Sequence, residues 1–212
     1  MNLKHKIKSF LSWSKVAKNI FSNAPPIYTE SKKEGIRIHI GPGDVNLQGW
    51  LNIDARNFSH THLVTDKLDL NDFKDNSIQA IYLCHVLEHF SFDEVEKILK
   101  VFYKKLKING ELIISVPNYK SLTDIYIHSN YDLTKIKNAL MGGQDYEYNF
   151  HKAVFDKKIL EQDLISAGFS RVDEWSTKEE FGKSIGDWSD YFEKINGKKI
   201  QLSLNLKGTK NK

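Results

Sequence analysis

Three groups of residues have types and spacings that chemistry can use. The first is the turn Gly41-Pro42-Gly43-Asp44, followed ten residues later by Asp54. Glycines clear side chains away so that a backbone can approach a ligand closely. A carboxylate at the end of the second strand accepts hydrogen bonds from ribose hydroxyls. A pyrophosphate site is built differently, as G-x-G-x-x-G with an acid about 20 residues further on. Here Asn46 stands at the third glycine position, Pro42 removes a backbone donor, and Asp44 puts negative charge where a phosphate would approach. Asp54 also comes too early in the chain. This turn suits an adenosine ligand that carries positive charge and no phosphate, as S-adenosylmethionine does.

The second group is His85-Val86-Leu87-Glu88-His89. H-x-x-E-H is the inverted zinc-peptidase pattern. On a helix, His85 and His89 would share a face, Glu88 could activate water, and Glu161 could be the third ligand. Such a motif belongs inside a long helix, whereas this one directly follows a buried strand. A turn in which Glu88 and His89 are hydrogen-bonded for structural reasons is the competing expectation. His60-Thr61-His62 has metal-like spacing too, but a loop or strand-edge pair explains it as well.

The third group follows Gly142-Gly143, a turn suited to a lid, and reads Tyr148-Asn149-Phe150-His151. A histidine within reach of an acceptor hydroxyl can take its proton. His151 is the first choice for that role, with His85 and His89 as rivals. Tyr119, Tyr126, Tyr148, Phe150 and Trp188 are expected walls of an acceptor pocket, because aromatic faces stack on sugars and apolar rings.

The elements that must position these groups are legible in outline. Ile36 to Ile40 alternates in polarity and runs into the glycine turn. Trp50 to Asp54 and His62 to Thr65 read as short strands. Ile78 to Cys84 is apolar on both faces, as a buried parallel strand is. Ser91 and Glu94 make a capping box for a helix carrying Val95, Ile98, Leu99, Phe102 and Leu106, which Asn109-Gly110 is expected to stop. Leu112 to Val116 is another buried strand, closed by Pro117. Asp156 caps a helix to Ala167, ended by Gly168. Phe169 to Trp175 and Ile200 to Leu206 form a final pair of strands. Strands alternating with helices predict an α/β sheet.

Two domains of unequal size follow: a basic amphipathic helix and linker at 1–26, and a cofactor-binding domain at 27–212. In the first, Leu3, Ile7, Phe10, Leu11, Ala17 and Phe21 fall on one face among lysines. It either lies on an anionic membrane surface as a peripheral contact or covers the core. The 212 residues contain no apolar run of the roughly 20 residues needed to span a bilayer. A formal net charge of +4 is too mild to argue for nucleic acid, and a lone Cys84 points to a reducing cytoplasm.

With these residues in view, the chain resembles a known family. IHIGPGDVNLQGWLNID, DKLDLNDFKDNSIQAIYLCHVLEHF, LKINGELIISVPN and GGQDYEYNFHKAVFD, in this order, are similar to the class I S-adenosylmethionine-dependent methyltransferases of bacterial surface-polysaccharide pathways. The resemblance runs from about Gly35 to LSLNLKG near the C-terminus. It implies a Rossmann-like α/β fold: a seven-stranded, mostly parallel sheet with an antiparallel last strand and helices on both faces. It implies Gly41 and Gly43 against the methionine moiety and Asp54 on the ribose. It places Asp66, then Asp69 with Leu70, near the adenine, and His85 at the methionine end. Two positions depart from the family pattern, Gln79 and Pro42. The expected reaction is methyl transfer to a small molecule or sugar, a surface-glycan precursor, and it calls for no metal. A non-catalytic protein of the same fold is the second reading, a zinc hydrolase the third and a dinucleotide oxidoreductase the fourth.

Overall fold

A computed structural model describes residues 35–211. The basic segment 1–26, with its expected membrane-surface or core-covering helix, lies outside the described residues. Strands β1 (Ile36–Ile40), β2 (Leu51–Asp54), β3 (Leu63–Val64), β4 (Ile78–Cys84), β5 (Leu106–Pro117), β6 (Arg171–Glu174) and β9 (Ser203–Thr209) form one sheet. Its order is β3-β2-β1-β4-β5-β9-β6. Every pairing is parallel except those of β9, which runs antiparallel to both β5 and β6. The expected Rossmann-like sheet with an antiparallel last strand is therefore present. The order reverses at β1, whose neighbours are β2 and β4, so a crevice opens beyond the carboxyl ends of these three strands.

Alternation along the central strands divides the core in two. Ile81 and Leu83 of β4, with Leu112, Ile114 and Val116 of β5, point into the larger cluster. Ala80, Tyr82 and Cys84, with Ile113, point the other way, toward Trp50 and Trp175. A strand apolar on both faces is what two covered faces require. Helices α1 (Phe92–Lys105) and α4 (Lys157–Ala167) send Val95, Leu99, Phe102, Leu160 and Leu164 into the first cluster. On the other face the short α5 (Thr177–Phe181) brings Phe181 against the second. Helices α2 (Tyr119–His128) and α3 (Lys137–Met141) belong to the C-terminal side of β5, where Leu122, Ile125 and Ile136 form a third cluster with Ile195 and Ile200.

The helix boundaries mostly follow local chemistry. The Ser91 N–H donates to Glu94 Oε2 at 2.8 Å, completing the capping box of α1. Asp156 Oδ1 accepts from the Ile159 N–H at 2.8 Å, and Gly168, at φ +116°, closes α4.

Two expectations need correction. Asn109-Gly110 does not stop α1. The helix ends at Lys105 because Leu106, fully buried, is drawn into the sheet opposite Ile78. Strand β5 then bulges, with Asn109 at φ +60°, and resumes at Glu111 opposite Ala80. The final strand is also not continuous over Ile200–Leu206. Phe192–Ile195 (β7) and Lys198–Gln201 (β8) form a separate hairpin around Asn196-Gly197, both at positive φ. Leu202 turns away, its N–H donating to the Tyr191 carbonyl at 3.0 Å, before β9 begins.

Lys210 locks the end of this sheet. It is 5% exposed, and its Nζ donates to Asn76 Oδ1, the Tyr103 carbonyl and the Leu106 carbonyl at 2.8, 2.9 and 2.9 Å. These three acceptors lie at the end of α1 and in the turn before β4. Lys210→Met keeps the stem and strands all three. Urea titration is expected to show a loss of about 2–4 kcal/mol in unfolding free energy. A loss below about 0.5 kcal/mol would mean that water replaces the ammonium freely.

Candidate active site

The crevice at the strand ends is a cleft of about 820 Å³. Its two ends are built by different parts of the chain.

The first end is the turn after β1. Gly41 sits at φ +62°, and a Cβ there would lie 2.4 Å from Val86 Cγ2, so glycine is required both by conformation and by space. Gly43, at φ +52°, has open space where a side chain would be. Asp54 closes β2 and is 8% exposed. Its Oδ2 accepts from the Gly43 N–H at 3.2 Å and its Oδ1 from the Arg56 N–H at 2.8 Å. A carboxylate has about four lone-pair sites, so these two bonds aim Asp54 without saturating it. The residues beyond tie the turn down. Asn52 Nδ2 donates to Asn46 Oδ1 and to the His60 carbonyl, both at 3.0 Å, and His60 Nε2 donates to the Gly43 carbonyl at 2.9 Å. His62 Nδ1 accepts from the Asn52 N–H at 2.9 Å. His60 and His62 are thus tethers of the turn and not a ligand pair.

The cleft wall carries seven carboxylate residues, among them Asp44, Asp54 and Asp66, against two cationic ones, Arg56 and Lys152. Such a wall favours a sulfonium and opposes a pyrophosphate. The bare glycine backbone and the aimed Asp54 carboxylate therefore fit S-adenosylmethionine. Asp66 lines the cleft, whereas Asp69 does not and instead accepts from the Asn71 N–H and Nδ2. Leu70 is also off the wall: its side chain is 4% exposed and lies in the main core.

The other end gathers the histidines. His85 follows β4 at φ +53°, a conformation that non-glycine residues rarely hold outside functional sites and turns. Ser203 Oγ donates to the Trp188 carbonyl at 2.7 Å, so the 2.8 Å bond between His85 Nε2 and Ser203 Oγ has the histidine as donor. Nδ1 then carries the lone pair, 3.7 Å from Glu88 Oε1. The indole of Trp188 stacks on this ring at 5.9 Å. Leu87–His89 forms a single 3-10 turn, so His85 and His89 do not share a helix face as the peptidase pattern demands. Glu161, on α4, is not among the clustered groups.

Glu88 is 1% exposed, and neither carboxylate oxygen has a hydrogen-bond partner. Burial pushes its pKa up to about 8. Its backbone carbonyl accepts from the Lys152 and Ala153 N–H groups at 2.8 and 3.1 Å, which delivers the loop from Gly142 to Lys152 to the cleft. His151 Nε2 arrives 3.9 Å from Glu88 Oε1. The His89 and His151 rings meet edge to face at 4.8 Å, and His89 Nδ1 donates to the Phe150 carbonyl at 3.2 Å. Burial, then the neighbouring histidines, brings His85 down to about 3 and His151 to about 4, so both are neutral at pH 7.

Tyr148, Phe150 and Trp188 line the cleft and are 38%, 44% and 50% exposed, as faces awaiting a partner would be. Tyr119 does not join them; it borders a small inner pocket beside Glu88 and His151. Tyr126 packs on Tyr131 instead. Sequence reasoning passed over Arg56, whose guanidinium lies 4.6 Å from the Tyr146 ring and links the loop to the Asp54 end of the cleft. It also passed over His39, buried and lining the cleft, and Ser203, which is 118 residues from the histidine it holds. Only His39 had a signal, the polar position it occupies in β1.

Residues 45–114 match the family model described as a methyltransferase domain. Among solved structures, the chain is similar to an S-adenosylmethionine-dependent methyltransferase from Archaeoglobus fulgidus, with a TM-score of 0.52 and 16% identity over 95% of this chain and 94% of that one. A Thermotoga maritima protein described as a possible histamine N-methyltransferase gives a TM-score of 0.52 and 19% identity over 96% of both chains. The 1,6-didemethyltoxoflavin-N1-methyltransferase of Burkholderia thailandensis, solved with S-adenosylhomocysteine, gives 0.51 and 13% over 100% of this chain and 92% of that one. No curated protein matches the chain. The neighbours establish the fold, and the domain model carries the class of activity. The protein is a methyltransferase, and the cofactor its cleft fits is S-adenosylmethionine.

Gly41→Ala tests the turn. The left-handed φ and the Val86 contact together are expected to lower unfolding free energy by about 2–4 kcal/mol. Calorimetric titration should show S-adenosylhomocysteine binding weakened at a temperature where the variant is still folded. Unchanged affinity would remove Gly41 from the cofactor site.

Proposed function

We propose that this methyltransferase acts on a hydroxyl of a small, polar acceptor, with a sugar of a surface-glycan precursor as the substrate class. One observation carries the reading: the glycine turn with Asp54 and the histidine-aromatic wall are two ends of one continuous cleft. A donor and an acceptor held there lie side by side, which is what methyl transfer needs. The sugar preference draws on the sequence resemblance and on the exposed faces of Tyr148, Phe150 and Trp188.

When bound, the cofactor supplies an electrophilic methyl carbon on a positively charged sulfur. In this reading, Gly41 and Gly43 admit its methionine part, Asp54 holds the ribose hydroxyls, and Asp66 faces the adenine end. His85 separates the two ends. His151 Nε2 is neutral and takes the hydroxyl proton. The loop from Gly142 to Lys152 covers the acceptor and keeps water out. A cytoplasmic location, inferred from the lone cysteine, and membrane contact through the segment before residue 27 belong to the same proposal.

The test couples binding to turnover. S-adenosylhomocysteine should bind the wild type, and Asp54→Ala should weaken it by about 10- to 100-fold, the worth of a charge-assisted hydrogen bond. Labelled methyl groups from S-adenosylmethionine should enter a hydroxyl of a nucleotide-linked or lipid-linked sugar in a panel of glycan precursors. His151→Ala should lower kcat more than it raises KM. Binding with no transfer to any sugar, and transfer to an amine acceptor instead, would overturn the hydroxyl reading.

A further inference from the structure

Just inside the acceptor end of the cleft, in the small inner pocket that Glu88 shares with His151, lies a feature that methyl transfer alone does not explain. Glu88 is a fully buried carboxyl with both oxygens unpartnered. A buried polar group without a hydrogen bond costs about 1–3 kcal/mol, and more when charged. A fold keeps such a group where something else satisfies it.

The histidines around Glu88 show what that could be. His89 Nδ1 gives its proton to the Phe150 carbonyl, and the His85 backbone also hydrogen-bonds this ring, so its orientation is fixed from both sides. The backbone at Ala139 and Leu140 hydrogen-bonds the His151 ring, whose Nε2 lies 3.9 Å from Glu88 Oε1. One ligand atom each from Glu88, His89 and His151 fall within 4.8 Å of one another. Metal-binding histidines characteristically donate their second ring nitrogen to a carbonyl in this way, which fixes tautomer and ring orientation.

We propose that Glu88, His89 and His151 bind one divalent transition-metal ion at the acceptor end of the cleft. Two imidazoles and a carboxylate suit zinc and its first-row neighbours better than magnesium or calcium, which prefer all-oxygen sets. Ligands at about 2.1 Å from a tetrahedral ion stand about 3.4 Å apart, so each side chain closes in by less than about 1 Å. Three protein ligands leave a position open for an acceptor oxygen. His85 Nδ1 lies 3.7 Å from the same Glu88 Oε1. The site is not that of the H-x-x-E-H peptidase pattern. It takes Glu88 as a ligand and draws its second histidine from residue 151, and it revises the expectation that the reaction needs no metal.

The ion's role rests on the methyl-transfer reading, whereas its binding does not. An ion on His151 Nε2 takes the lone pair that would otherwise accept the hydroxyl proton, so the base role given to His151 above belongs to the metal-free protein and this one to the metal-bound protein, and the zinc titration decides between them. The polarised acceptor hydroxyl then releases its proton to water as its oxygen lone pair forms the bond to the methyl carbon. The carbon–sulfur bond breaks with its electron pair going to sulfur, which becomes a neutral thioether.

The experiment uses the full chain stripped with a chelator and titrated with zinc chloride alone. One ion per chain is expected. Glu88→Gln and His151→Ala should each weaken binding by at least about 100-fold, beyond the 10- to 100-fold typical of outer-sphere changes. His128→Gln, at an exposed histidine on α2, should leave it unchanged. Cobalt chloride should give visible absorption bands that His151→Ala abolishes. The absence of saturable zinc binding, or equal binding by wild type and both cluster variants, overturns the proposal. S-adenosylhomocysteine binding, measured in the same preparations, separates the two readings. Cofactor binding without zinc binding sinks the metal site alone, and zinc binding without cofactor binding sinks the methyl-transfer role alone.

Discussion

The backbone carbonyl of Glu88 accepts two N–H groups, from Lys152 and Ala153, and the acceptor half of the site depends on that junction. It fastens a loop from the middle of the chain to the end of β4. Together with the Arg56 guanidinium on Tyr146 and the His89 bond to the Phe150 carbonyl, it fixes His151, Phe150 and Tyr148 relative to the glycine turn. The same residue contributes the buried carboxyl around which the histidines gather. Backbone and side chain of Glu88 thus serve different ends: the first is saturated and fixes geometry, the second is unsaturated and keeps chemical capacity.

The two halves of the cleft differ in how far apart their parts lie in the chain. The half to which we assign the cofactor is local, because Gly41, Gly43 and Asp54 sit in one strand-turn-strand unit braced by Asn52 and His60. The acceptor half is assembled from β4, the loop near residue 150, the 3-10 turn at Trp188–Asp190 and Ser203. One consequence is that the local half tolerates variation elsewhere. The dispersed half can change its acceptor by altering any one contributing segment.

That difference also explains what could be read from the sequence. Glycines at a strand end, an acid closing the next strand and apolar runs for buried strands are local patterns, and they placed β1, β2, β4 and the glycine turn between β1 and β2 correctly. The capping residues Ser91, Asp156 and Gly168 did the same for α1 and α4. Leu106 defeated the reading of the helix end, because its place opposite Ile78 is a tertiary matter that outweighs the Asn109-Gly110 signal. Tyr119 was misplaced for a similar reason. Its residue type suits a pocket wall, but only the path of α2 decides which pocket it borders. The Glu88 environment was visible as a motif, yet its partner His151 is not a member of that motif. No spacing rule joins residues 63 positions apart.

The position of β9 has a consequence for how the chain is made. This strand follows the other described strands in sequence but is not at the sheet's edge; it fills the gap between β5 and β6. While the polypeptide is being synthesised, this flank of β5, Glu111 to Pro117, has no strand partner among the described residues until β9 emerges. Unpaired flanks of that length invite association between nascent chains. Maturation then waits on residues 203–209 leaving the ribosome. The glycine turn and Asp54, some 150 residues earlier in the chain, leave the ribosome well before the strand that completes the sheet.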